Sequence, residues 1–435
     1  MTTFKISTLI FILLSFNVCS IHAEDVKPDL PKVSASVIDV EEMGAKGDGQ
    51  TDNTKAVQQA IDKANSRGGC TVRFSKGNIL CGPIVLKNNI RLQIDPGVTL
   101  TMLPMDRYPG GNVSGGNQGP PDFIYGKNLR DIVITGGGTI EGQGSTWWSY
   151  VKDKDKKRPY IIRLDESTRV LIEGITIQNS PMYHIVISGQ DTTISKTKVH
   201  APSARDRVSP SRNTDGCVVS GRNILITDCD ISVADNNYWS AKETSNLLIR
   251  NCRFGTGQGL TIGSSTQEGV NKFTVRDCTF EGTDYGIRIK SDRTRGGRVT
   301  GITYENIKMT NVGIPIEISA IGDIKEKRYT DLNKLTTEDA ATYPSASVTK
   351  TTPIYDEITL RNITATVNSG KRAGLICGIP EAPIGRVTME DITINADLPF
   401  GFYFVKKATL KNVKITTPSG ENKFQETNAK ISLSK

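Results

Sequence analysis

Asn223-Ile224-Leu225-Ile226-Thr227-Asp228-Cys229 is followed by Asn246-Leu247-Leu248-Ile249-Arg250-Asn251-Cys252, the same short word written again 23 residues further on. A few apolar residues run together, and then an Asp or Asn precedes one small side chain. That is the rhythm of a short strand and a turn. Working outward from Cys229, the equivalent position recurs at Thr197 and Ile175 upstream, and at Cys252, Cys278, Ile307, Ile363, Ile392 and Val413 downstream. Successive gaps are 22, 32, 23, 26, 29, 56, 29 and 21 residues. The gap of 56 fits two turns, or one turn carrying the charged, loop-like stretch 325–350. Strands this short cannot bury a face alone. Stacked in parallel, each turn covers its neighbour and a continuous core forms. A period in the twenties with Asn at the corners predicts an all-β parallel β-helix. A leucine-rich repeat needs a denser leucine ladder, and a propeller needs blades of about forty residues.

The ends are read separately. Residues 54–65 form an amphipathic pattern with Ala56, Val57, Ala60, Ile61 and Ala64 on one side and Thr54 near the N-cap. A helix there closes the N-terminal end of the solenoid, which otherwise exposes an unpaired strand edge. Before it, Lys5, an apolar run over 6–18 and Ser20-Ile21-His22-Ala23 read as a secretory signal cleaved after Ala23. The run is too short for a membrane span, and no later stretch is long enough. The expected organisation is therefore a signal peptide over 1–23, an extension over 24–36, the solenoid over 37–420 and a tail over 421–435.

Composition agrees with strands and turns: 41 Gly with 6% aromatics. A net charge of +8 suits an acidic ligand, and no lysine-rich tail or zinc-finger spacing points to nucleic acid. A secreted monomer with no cofactor and no metal is expected. Removal of Cys19 leaves seven cysteines, an odd number. Cys70 and Cys81 are candidates for pairing across the first turns, whereas Cys229, Cys252 and Cys278 read as stacked small buried residues. Asn112-Val113-Ser114 and Asn362-Ile363-Thr364 have the form of glycosylation acceptors.

Four polar words sit at the edges of these turns: Asn213-Thr214-Asp215-Gly216, Asp235-Asn236, Gly257-Gln258-Gly259 and Arg288-Ile289-Lys290. Other words accompany them. Gly44-Ala45-Lys46-Gly47-Asp48-Gly49-Gln50-Thr51-Asp52-Asn53-Thr54 looks like the opening of pectin-lyase-fold proteins. Gly142-Gln143-Gly144 with Trp147-Trp148, Arg158-Pro159, and Asn179-Ser180-Pro181 before His184 resemble glycoside hydrolase family 28, the polygalacturonases. Asn213-Thr214-Asp215-Gly216 and Gly286-Ile287-Arg288-Ile289-Lys290-Ser291-Asp292 match that family's motifs directly, in family order, over about residues 37–413. The resemblance implies a right-handed, single-stranded parallel β-helix that hydrolyses α-linked galacturonan with inversion at the anomeric carbon. It departs in two words: Ala234-Asp235-Asn236 stands where the family has Gly-Asp-Asp, and Gly257-Gln258-Gly259 where it has Gly-His-Gly. The stretch Asn237-Tyr238-Trp239-Ser240, read as a loop, also differs from the small apolar sequence usual there.

The resemblance makes Asp235 the general acid and Asp215 a general base. Asn236 takes the second base position, where an amide can orient a water but not accept a proton. Without a carboxylate at 236, Asp235 is expected to hold its proton less well. Gln258 replaces a titrating imidazole by an amide that still donates a hydrogen bond. Arg288 and Lys290, two apart on one strand, face one way and grip a substrate carboxylate in the family. Asn213 is expected to hold the loop and orient Asp215, and Tyr238 and Trp239 are candidates for stacking on a sugar face. Arg205, Arg207 and Arg212 are candidates for extending anion binding, and His184 and His200 for structural hydrogen bonds. A hydrolase of acidic polysaccharide is the leading reading. A non-catalytic polysaccharide-binding relative and a polysaccharide lyase on the same fold are the alternatives.

Overall fold

Asn and Asp make the corners. Asn223, Asn246, Asn251, Asn306, Asn362 and Asn412 all adopt left-handed backbone, φ between 48° and 56°, a region that short polar side chains tolerate better than others. Their amides then bond from turn to turn: Asn246 donates to Asn223 at 2.8 Å, Asn362 to Asn306 at 2.8 Å, and Asn412 to Asp391 at 2.7 Å. Each corner satisfies the next, so the ladder can repeat without limit.

The computed structural model describes residues 25–110, 119–149, 157–203, 211–240, 242–321, 331–422 and 424–434. The expected signal over 1–23, the Asn112 acceptor, Arg205 and Arg207 lie outside the described residues. Among the described residues the strands form one 29-stranded, almost wholly parallel sheet wound into a right-handed parallel β-helix. The repeat positions stack as the spacing predicts, with Cys278, Ile307, Ile363, Ile392 and Val413 in one row. A second row runs Ile194, Ile226, Ile249, Val275, Tyr304, Leu360, Met389 and Leu410. Because Ile307 pairs directly with Ile363, the 56-residue gap is one turn with an insertion.

The helix Thr54–Ser66 buries Val57, Ala60, Ile61 and Ala64 against the first turns. At the far end, strand Phe424–Ser434 pairs in parallel with Leu398–Thr417. Residues 424–434, expected to lie in a tail, therefore add to the solenoid, with Ala429, Ile431 and Leu433 alternating with polar residues. Cys70 and Cys81 are both free and buried, so the expected pairing is not made. Cys229, Cys252 and Cys278 are likewise free, buried and stacked. No described helix is long and apolar enough to cross a membrane.

Candidate active site

Strands Cys217–Thr227, Tyr238–Ser240, Leu260–Ile262 and Tyr285–Lys290 stack so that Cys217, Tyr238, Leu260 and Ile287 are level. Asp215, Asn236, Gln258 and Tyr285, each two residues earlier, arrive on consecutive turns at one edge of the solenoid. The four polar words become one site by register alone.

Asn236 is its centre. Its amide nitrogen donates to Asp215 Oδ2 at 2.7 Å and to Asp235 Oδ1 at 3.0 Å, and its oxygen accepts from Thr261 Oγ1 at 2.6 Å. The Thr261 bond fixes which end of the amide faces the acids. Both amide hydrogens go to carboxylates, so Asn236 couples the two acids and has no side-chain donor left to orient a water. Asp235 also accepts from the Asn236 backbone N–H at 2.9 Å and from Asn213 Nδ2 at 3.2 Å. Asn213 thus addresses Asp235, and not Asp215, the partner expected from sequence. Its own oxygen lies 3.4 Å from buried Arg158, which also donates to the carbonyls of Pro181 at 2.8 Å and Arg212 at 2.9 Å.

Both acids hold their protons above the ordinary carboxylate range. Asp215 is 2% exposed; burial raises it first and the charge of Asp235 second. Asp235 is half-buried and is raised by burial alone, against the Asn236 N–H, Lys290, Asn213 and Arg288, which favour its charge. Desolvation thus raises Asp235 even with an amide, not a carboxylate, at 236. Of the two, the deeper Asp215 is raised the further.

The Gly-x-Gly word answers to space. A Cβ on Gly257 would stand 2.5 Å from Asn237 Oδ1, and one on Gly259 would stand 2.1 Å from the Tyr285 carbonyl. Gln258 between them accepts from Arg288 Nη1 at 3.2 Å, rather than donating towards the acid. Arg288 is braced on two further sides, by the Tyr285 ring 3.7 Å away and by Glu317 Oε1 at 3.3 Å. Lys290 is brought down to about 8, by burial first and by Arg288 second, with Glu317, Asp235 and Asp215 opposing.

Tyr238 is not a sugar platform. The stretch read as a loop is a strand, and strand alternation sends Tyr238 into the core, fully buried, with its hydroxyl donating to the Val219 carbonyl at 2.8 Å. Trp239 faces outward, bonded through Nε1 to the Gly263 carbonyl and set edge-on to Tyr183 at 5.8 Å. Tyr183 in turn stacks on Tyr160 at 4.9 Å. His184 is buried and neutral, depressed to about 4 by burial; its Nδ1 donates to the Asp215 carbonyl at 2.9 Å. Arg212 is exposed at the rim. Sequence reasoning gave no role to Arg158, Tyr160, Tyr183, Tyr285 or Glu317. Counting one turn on from Arg288 would have found Glu317, its register partner.

The arrangement is two coupled carboxyls beside two cations in one groove. Among the described residues no cluster of three His, Cys, Asp or Glu side chains is placed to hold a metal ion. The sequence matches the model for glycosyl hydrolases family 28 over residues 72–419. It is 33% identical over 351 residues to an endo-polygalacturonase of Pectobacterium carotovorum subsp. carotovorum, covering 73% of this chain and 85% of the relative. It is 31% identical over 406 residues to an exopolygalacturonase of Zea mays, covering 88% and 90%. The solved polygalacturonase from Erwinia carotovora ssp. carotovora superimposes with a TM-score of 0.70 at 29% identity, over 87% of this chain and 97% of that one.

Proposed function

The chain belongs to glycoside hydrolase family 28 and is a glycoside hydrolase, and from that premise we propose that it is secreted and hydrolyses an acidic, galacturonate-type polysaccharide with inversion. The observation that carries the reading is the Asn236 amide holding Asp215 and Asp235 together, one turn from Gln258 and two from Arg288 and Lys290. A substrate carboxylate takes Arg288 and Lys290, Arg for its fork geometry and Lys as a point charge. After the Asn236 N–H, those two cations are among the groups that favour the charged form of Asp235 in the free site. Once the substrate neutralises them, the proton moves to Asp235, the more exposed acid. Asp235 then protonates the leaving oxygen, and Asp215, left ionised, draws a proton from water.

Inverting enzymes usually hold their carboxyls about 6.5–9.5 Å apart, retaining ones about 5–5.5 Å. Here the nearest oxygens share one nitrogen at 2.7 and 3.0 Å and so stand closer together than the inverting range. Inversion is retained because Asp215 is too deeply buried to reach an anomeric carbon as nucleophile, whereas a water can. The test is proton NMR of polygalacturonate during hydrolysis. The β-anomer should appear first from the α-linkage. First appearance of the α-anomer would overturn inversion, and an absorbing unsaturated product would favour the lyase. Absence of any cleavage, with binding retained, would favour the non-catalytic relative.

The clamp sets an alkaline limit. With Lys290 at about 8 in the free site, its charge is present below that pH and lost above it. A plot of kcat/KM against pH, which reports the free enzyme, should fall through about 8, and Lys290→Arg should move that fall upward. A limb left unmoved by Lys290→Arg would assign it elsewhere.

A further inference from the structure

The face that carries the acids does not stay open along the solenoid. Alternate residues of an uncovered strand point to solvent, and Arg288 and Lys290 are still half-buried. One turn further, strand Ile314–Ser319 is buried at every position, and so is Arg372–Cys377 after it. Outward Glu317, Leu375, Cys377 and Tyr403 are all within a few per cent of complete burial.

Over the turns of Arg372 and Tyr403 lies the insertion in the 56-residue turn. Buried Arg372 donates to the carbonyls of Leu332 and Leu335, each at 3.0 Å, and its backbone N–H donates to Asn333 Oδ1 at 3.0 Å. Leu335, Ala340 and Tyr343 join the hydrophobic core from outside the coil. The short helix Thr337–Ala341 is tied to the last strand, its Thr337 carbonyl accepting from Thr427 Oγ1 at 3.2 Å. Beside the clamp, Arg293 is three residues past Lys290. It bonds Glu381 Oε1 at 2.5 Å and the Pro344 carbonyl at 2.7 Å. The guanidinium contacts of Arg372 and the Arg293–Glu381 pair are buried or part-buried and charge-assisted, and the whole set is distributed over several turns, which makes the covering a fixed wall rather than a passing contact.

We propose that the described insertion, residues 331–350, ends the groove one turn beyond Arg288 and Lys290, so that the enzyme shortens its polymer from a chain end. A polymer whose uronate sits on the clamp has no path to continue over the Glu317 row, and only a terminal or near-terminal sugar fits there. The similarity to relatives does not choose this mode, because it includes both an endo- and an exo-acting enzyme. The proposal rests on the hydrolase reading, and the experiment separates the two.

The mature chain is incubated with polygalacturonate while viscosity and reducing ends are followed together and early products are sized by chromatography. One short product class from the first time points, with viscosity lagging far behind reducing ends, is expected. An early ladder of intermediate oligomers with collapsing viscosity would overturn the proposal and leave the hydrolase reading intact. No cleavage of polygalacturonate or any other acidic glycan would overturn the hydrolase reading itself. Replacing residues 333–348 by a short Gly-Ser linker should turn the single product class into a ladder; a folded variant that keeps the single class would remove the insertion from the role. Should that variant not fold, the wild-type profile still decides the mode.

Discussion

Asp235→Asn is expected to lower kcat by about 10²–10⁴, the range for a general acid, without lowering the thermal midpoint. The activity loss follows from position: Asp235 is the less buried member of the pair and the one that faces the clamp. The stability expectation follows from charge. Asp235 raises Asp215, so its removal lets Asp215 ionise at lower pH and relieves repulsion inside a buried site. A wild-type carboxyl held above its unfolded value weakens the fold as pH rises between the two values. The variant should therefore gain stability above the ordinary carboxylate range and little below it. Asp215→Asn should lose as much activity, and the double variant little more than either, because the two act as a unit. Unchanged turnover in Asp235→Asn would remove Asp235 from the acid role. Lost activity with a lowered midpoint would make it a structural residue.

Much of this was legible in the chain. The row of Ile175, Thr197, Cys229 and their successors is a local pattern, repeated, and a solenoid's contacts are almost all with the adjoining turn. Asn at the corners was equally plain, since the left-handed backbone it adopts is a property of single residues. What failed, failed through register and burial. Tyr238 and Trp239 are adjacent and chemically alike, yet a strand of three residues sends one inward and one outward. Nothing in Asn237-Tyr238-Trp239-Ser240 announces that strand; its pairing with Cys217–Val218 and Leu260–Ile262 does. The neighbour at 236 was legible beside Asp235, but its burial and the residues that reach it from several turns were not. Arg158 lies in a family word that names no role for it and Glu317 carries no motif, and each acts on a residue 29 to 55 positions away. The pairing of Cys70 with Cys81 was a matter of counting, and counting does not bring two side chains together.

Arg288→Ala is expected to weaken kcat/KM for the uronan by about 2–5 kcal/mol, the cost of truncating one partner of a desolvated charge pair. Part of that cost has nothing to do with substrate. Glu317 is 1% exposed, and its Oε2 has no hydrogen-bond partner among the described residues, so Arg288 is the cation that offsets its burial. Removing Arg288 strands that carboxylate, and a buried ion pair broken on one side typically costs about 3–5 kcal/mol of stability. It also frees Gln258 and uncovers the Tyr285 ring. The two effects can be separated. Arg288→Ala with Glu317→Gln should recover most of the thermal midpoint, because a neutral amide is less costly to bury than an unpaired charge. It should recover little of kcat/KM, because the substrate carboxylate still lacks its fork. Recovery of both would mean that Arg288 serves Glu317 alone and leaves Lys290 as the whole clamp. Recovery of neither would mean that Glu317 acts on the fold through contacts other than Arg288.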